Sequence, residues 1–130
     1  MIPNELHVDV KSFAYRELVG QDRWQSFDPV FGSLTIVGDP SYTGRLRVVG
    51  KMCQFQVQFS AGTSIASAAG TDYLNLPIEA KGLAGVATMT NDTSNVAVGV
   101  CHIDVATSRC YLPTQTASAN VFTLAGWYEI

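Results

Sequence analysis

An all-β fold, an antiparallel jelly-roll β-sandwich carrying a short N-terminal arm, is what this sequence predicts, and three observations predict it. From Trp24 onward apolar and polar residues alternate at period two; Gly, Pro, Asp and Ser clusters break the alternation at short intervals; and no helical period separates the runs. Many strands without helices between them favour a sandwich or barrel over alternating βαβ units, and about eight strands in roughly a hundred residues is the size of one jelly roll. The chain has 130 residues, 47% of them hydrophobic, which suffices for one core and one domain.

The arm comes first, over residues 1 to 23. Val10, Phe13, Ala14 and Leu18 fall at i, i+3, i+4 and i+8 with Lys11, Arg16 and Glu17 between them, after a possible Asp9 cap and before Gly20. This spacing predicts a short amphipathic helix. So short a helix is marginal alone and needs a surface for its apolar stripe, so Val10, Phe13 and Leu18 are the expected partner-binding residues.

Residues 24 to 130 form the expected sandwich. Its clearest strand is Cys53-Gln54-Phe55-Gln56-Val57-Gln58-Phe59, which sends Cys53, Phe55, Val57 and Phe59 to one face and three glutamines to the other. Further strands are expected at Val30 to Val37, Tyr42 to Val49, Ser64 to Ser67 and Tyr73 to Leu76. Others follow at Gly85 to Thr90, Val96 to Val105, Arg109 to Leu112 and Val121 to Ile130. Asp39-Pro40, Asn91-Asp92 and Thr107-Ser108 supply turn chemistry. Phe55, Val57, Phe59, Phe122 and Leu124 are the expected core.

Two strands are apolar on both faces. Val96, Val98 and Val100 share one face by alternation, with Ala97, Cys101, Ile103 and Val105 on the other; Phe122, Leu124, Tyr128 and Ile130 alternate with Val121, Ala125 and Trp127. An antiparallel strand normally wets one face, so a covering neighbour is expected. A loop folded over the sheet is one candidate. A subunit interface, built on Val96, Val98, Val100, Val121 and Trp127, is the preferred one, because only Lys81 and Arg109 of the eight basic residues lie beyond residue 51.

Charge and motifs exclude several functions. A net charge of -3 offers no footprint for nucleic acid, and no apolar run approaches the ~20 residues of a membrane span. Met1-Ile2-Pro3-Asn4-Glu5 has no signal-peptide character, so export is not expected. Cys53, Cys101 and Cys110 are odd in number and lack CxxC spacing, which fits free thiols in a reducing cytosol. The sequence contains no GxSxG, HExxH, Walker A or GxGxxG signature, and neither catalysis, a metal nor a cofactor is expected.

His102 and Asp104 share a strand face, whereas Cys101 points to the other. A hairpin turn at Ala106 to Ser108 sets Val105 against Arg109 and Cys110 against Asp104, which parts Cys110 from Cys101. Trp24, Tyr111, Trp127 and Tyr128 are the aromatics that could stack on a sugar if exposed together.

Tyr42-Thr43-Gly44, the strand Gln54 to Phe59 with Ser60-Ala61-Gly62-Thr63, Tyr73-Leu74-Asn75-Leu76-Pro77 and Leu124-Ala125-Gly126-Trp127-Tyr128 carry a resemblance over Tyr42 to Ile130. This stretch resembles the jelly-roll domains of tailed-bacteriophage virion proteins, which include fibre-head domains and small capsid decoration proteins. The resemblance implies a non-enzymatic role in assembly or attachment, as a dimer or trimer. Fibre heads sit on long shafts, so a short arm favours a decoration or cement protein that binds the major capsid protein. Such a protein is assembled in the host cytoplasm and resides in the virion. The alternative is a receptor-binding head domain of a tail or head fibre.

Overall fold

The computed structural model describes residues 23–60, 62–82, 85–117 and 120–130. Twelve strands run through them: β1 (Gln25–Phe27), β2 (Phe31–Gly32), β3 (Thr35–Val37), β4 (Ser41–Val49), β5 (Met52–Ser60) and β6 (Ser64–Ser67). They continue with β7 (Tyr73–Asn75), β8 (Gly85–Asn91), β9 (Val96–Asp104), β10 (Arg109–Tyr111), β11 (Gln115–Ala117) and β12 (Val121–Glu129). No helix occurs among the described residues. The amphipathic stripe of Val10, Phe13, Ala14 and Leu18 lies outside them.

Nine strands form one antiparallel sheet in the order β1-β4-β5-β12-β8-β9-β10-β7-β2, and β11-β6-β3 form a second, smaller one. The large sheet curls at β9, whose residues up to Cys101 pair with β8 while His102 to Asp104 pair with β10. One strand therefore serves two layers. The curl brings the far strand back over the near ones, so the Phe31 ring of β2 lies 5.0 Å from Phe59 of β5 and 5.7 Å from Tyr42 of β4. The fold is an antiparallel all-β sandwich, as the alternation predicts. Its neighbours in both sequence and space are the hairpin pairs β4–β5, β8–β9 and β9–β10.

The core follows the glutamine alternation of β5. Cys53, Phe55, Val57 and Phe59 are buried, and they meet Tyr128, Gly126, Leu124 and Phe122 across an unbroken nine-residue ladder with β12. Phe59 stacks on Phe122 at 5.5 Å and Phe55 meets Tyr128 edge-on at 5.8 Å, so aromatic cross-strand pairs add to the buried area. Gly126 lacks a side chain for a steric reason, since a Cβ there would run into the Val86 carbonyl and the Ala87 side chain of β8. The buried Tyr128 hydroxyl donates to the Ile78 carbonyl at 2.7 Å and accepts from the Ile78 N–H at 3.0 Å. That reciprocal pair ties the β7–β8 loop to the centre of the molecule.

Turns explain where the strands stop. β4 and β5 are joined by the two-residue hairpin Gly50-Lys51, with Gly50 at φ 61° in the first central position. The Asn91 side chain accepts from the N–H groups of Thr93 and Ser94 at 3.1 and 3.2 Å, closing the β8–β9 turn. The single strand expected over Val30 to Val37 is instead two, because Ser33 adopts φ 63° and breaks the pleat between β2 and β3. β1 and β11, three residues each, were too short to show a period.

Candidate functional site

The outer face of the β1-β4-β5-β12-β8 region is where the polar side chains of the alternation gather. Arg45 and Arg47 of β4 stand beside Gln56 and Gln54 of β5, their registered partners. Arg45 Nε donates to Gln56 Oε1 at 2.8 Å and Arg47 Nε to Gln54 Oε1 at 2.5 Å. Both guanidinium groups lie over the Trp24 ring, 4.6 and 5.0 Å from its centroid. Four interactions thus hold two like charges side by side on one strand. Next to them a groove of about 420 Å³ runs over Ala125 and Gly126, with Trp24 and Trp127 among its walls and Val86 at its rim.

The expected interface residues fall in different places. Val100 is 68% exposed and faces outward opposite Thr88, as a diagonal neighbour of Val86, which is 42% exposed. Val96 is 56% exposed at the start of β9. Val98 packs against the core instead, since a bulge between Met89 and Thr90 puts one extra residue into β9 and interrupts the alternation. Val96, Val98 and Val100 therefore do not share a face. Val121 and Trp127 are half-buried on β12, on the side opposite its core residues. Val10, Phe13 and Leu18 lie outside the described residues.

A second cluster occupies the outer face of the β9-β10-β7-β2 layer. His102, Tyr111 and Tyr73 stand in one cross-strand row that ends at Gly32, where a Cβ would strike the Tyr73 ring. Arg109 lies 4.0 Å over Tyr73 and donates from Nη1 to the Tyr111 hydroxyl at 3.3 Å. Asp104 shares this side with His102, as alternation predicts, and accepts from the Thr107 hydroxyl at 2.7 Å. Cys101 is buried on the other side. Among the described residues, no group of three His, Cys, Asp or Glu side chains is placed to hold a metal ion.

The β9–β10 hairpin corrects the cysteine geometry. Arg109 pairs with Asp104 and Cys110 with Ile103, one residue away from the expected register, because the turn takes the four residues Val105 to Ser108, with Ser108 at φ 55°. A one-residue slip turns every side chain over, so Cys110 joins Cys101 in the core. All three cysteines are free and buried. A hydrogen bond to Cys101, reinforced by burial, pushes the Cys110 thiol far up. Burial pushes Cys53 up to about 11, with the Tyr128 hydroxyl partly opposing. Tyr128 is raised as well, first by its own burial and then by Cys53. Cys53, Cys110 and Tyr128 are therefore not poised as nucleophiles at neutral pH.

Of the four aromatics that could meet a sugar, Trp24 and Trp127 line one groove, Tyr111 lies in the other layer and Tyr128 is fully buried. Sequence alternation placed Trp127 outward, but nothing in the sequence pairs it with Trp24, because strand order decides which residues 103 positions apart become neighbours. Compared with protein families, curated proteins and solved structures, the chain matches none.

Proposed function

We propose that this chain is a non-enzymatic structural protein of a tailed-bacteriophage virion, a decoration or cement protein that binds the major capsid protein and stabilises the shell. The observation that carries the reading is the apolar outer surface at β8–β9, where Val86 and Val100 stand exposed on adjacent strands. Apolar area of this kind gains by being covered, and a second copy of the chain is the partner the reading names. The resemblance carried by Tyr42 to Ile130 supplies the setting. The apolar stripe of Val10, Phe13 and Leu18 supplies the contact with the capsid in this reading.

Two measurements test it. Light scattering at micromolar concentration should give the mass of a dimer or trimer, and the protein should co-sediment with capsids stripped of decoration. Removing residues 1 to 23 should abolish sedimentation while circular dichroism still reports the β fold. A monomer that ignores capsids overturns the reading. A receptor-binding fibre head is the second reading, favoured by the groove between Trp24 and Trp127, and host-cell binding without capsid binding would select it.

A further inference from the structure

We propose that the groove between Trp24 and Trp127 binds an acidic saccharide, a pyranose bearing a carboxylate. The inference goes beyond the decoration reading and concerns a small ligand, in a groove that takes Val86 and Thr88 of β8 into its lining and so borders the surface proposed for self-association.

The groove's volume of about 420 Å³ lies within the roughly 300–1,000 Å³ usual for small-ligand sites. Ala125 and Gly126 line it with little or no side chain, together with Trp127 and with Trp24, whose ring carries the two guanidinium groups. Such aromatic walls suit the C–H faces of a sugar ring, which are apolar while the ring edge carries hydroxyls. Gln54 and Gln56 use their carbonyl oxygens on the arginines, so their amide N–H groups are the donors they can offer a ligand.

The charge at the Trp24 end selects an acid. Arg45 and Arg47 sit two positions apart on β4, about 7 Å along the strand, and Trp24 with the glutamines fixes their guanidinium planes. Arg47 lines the groove, whereas Arg45 stands exposed beside it on Gln56 and Trp24, and among the described residues its terminal nitrogens donate no hydrogen bond. Among the described residues no acidic side chain lines the groove. A pre-organised guanidinium with unused donors is suited to a carboxylate, which it binds through two parallel hydrogen bonds.

A peptide is the weaker candidate on this floor. β5, β12 and β8 are each paired along both edges, so their main chains offer no ladder for an added strand. Saccharide recognition needs side chains only, and side chains are what this face supplies.

The test titrates the full-length protein with sialyllactose and with a glucuronic acid disaccharide, using lactose as the uncharged control, and follows tryptophan fluorescence and saturation-transfer NMR. An acidic probe should quench fluorescence saturably and bind about tenfold more tightly than lactose, and added salt should narrow that gap. Arg45→Gln removes the charge and should reduce affinity for the acidic probe about tenfold, a larger loss than it causes for lactose. Trp127→Phe should weaken binding of both classes with the β spectrum retained. The proposal is overturned if neither acidic saccharide binds the intact chain, or if Arg45→Gln binds them as tightly. It is equally overturned if a poly-glutamate peptide binds the groove and no saccharide does.

Discussion

β5 and β9 are both nine-residue strands of the same sheet, yet one obeys its sequence alternation throughout and the other does not. β5 lies between β4 and β12 with complete ladders on both sides, and each residue from Cys53 to Phe59 occupies the face its period assigns. β9 changes partner midway and carries a bulge, so Val98 turns to the core while Val100 faces outward. The difference teaches that a period of two transfers from sequence to space only while pairing is unbroken. Each interruption resets which face a residue occupies.

The contrast is open to direct attack, beginning with the largest effect. Phe55→Ala should cost about 3–5 kcal/mol in urea unfolding, because a fully buried ring leaves a cavity in a closed ladder. Gln56→Ala, one residue along and on the other face, should stay within about 0.5 kcal/mol. Similar losses for the two would mean that β5 has no inner face.

Next in size is Tyr128→Phe, which removes the hydroxyl shared by the Ile78 carbonyl and N–H while keeping the ring. Leaving those backbone groups without their partner should cost about 1–3 kcal/mol. An unchanged unfolding midpoint would show that the β7–β8 loop does not depend on this anchor.

Within β9 the comparison sharpens to two valines. Val98→Ala should cost roughly 1 kcal/mol through lost packing, whereas Val100→Ala should change stability by less than about 0.5 kcal/mol. Val100→Lys should leave the monomer folded and lower its mass in light scattering if β8–β9 is the self-association surface. Equal destabilisation by the two alanine variants would refute the bulged register.

A further effect is with pH. Cys53 rises from its ordinary 9.0 to about 11 in the fold, so above 9 the unfolded chain loses its thiol proton first. Stability should therefore be fully present below pH 9 and decline as pH rises toward 11, with Cys110 and Tyr128, also raised, acting in the same direction. Cys53→Ala should flatten part of that decline in pH-dependent urea melts. A stability that rises between those values would contradict the burial of the thiol.

Strand identity was largely legible because a half-buried strand must alternate. The glutamines between Cys53 and Phe59 and the apolar series Phe122, Leu124 and Tyr128 carry their inward faces in the chain itself. The hairpin from Asp104 to Arg109 was misread by one residue, since loop length depends on whether Ser108 takes a left-handed conformation, and serine carries no strong signal for it. Val98 was misplaced for a related reason, as period-two counting runs through the register shift beside Gly99, although a lone glycine within a strand is a mark of such a bulge.

The candidate site divides along the same line. That Arg45, Arg47, Gln54, Gln56 and Trp127 face away from the core follows from the period of their strands, which is a local property of the pleat. That β12 lies between β5 and β8, and that Trp24 rests on two arginines before a groove ending at Trp127, was decided only by tertiary structure. Local sterics set the direction of a side chain, but neighbours distant in sequence are chosen by which arrangement of whole strands buries the core, and that choice belongs to the chain as a unit.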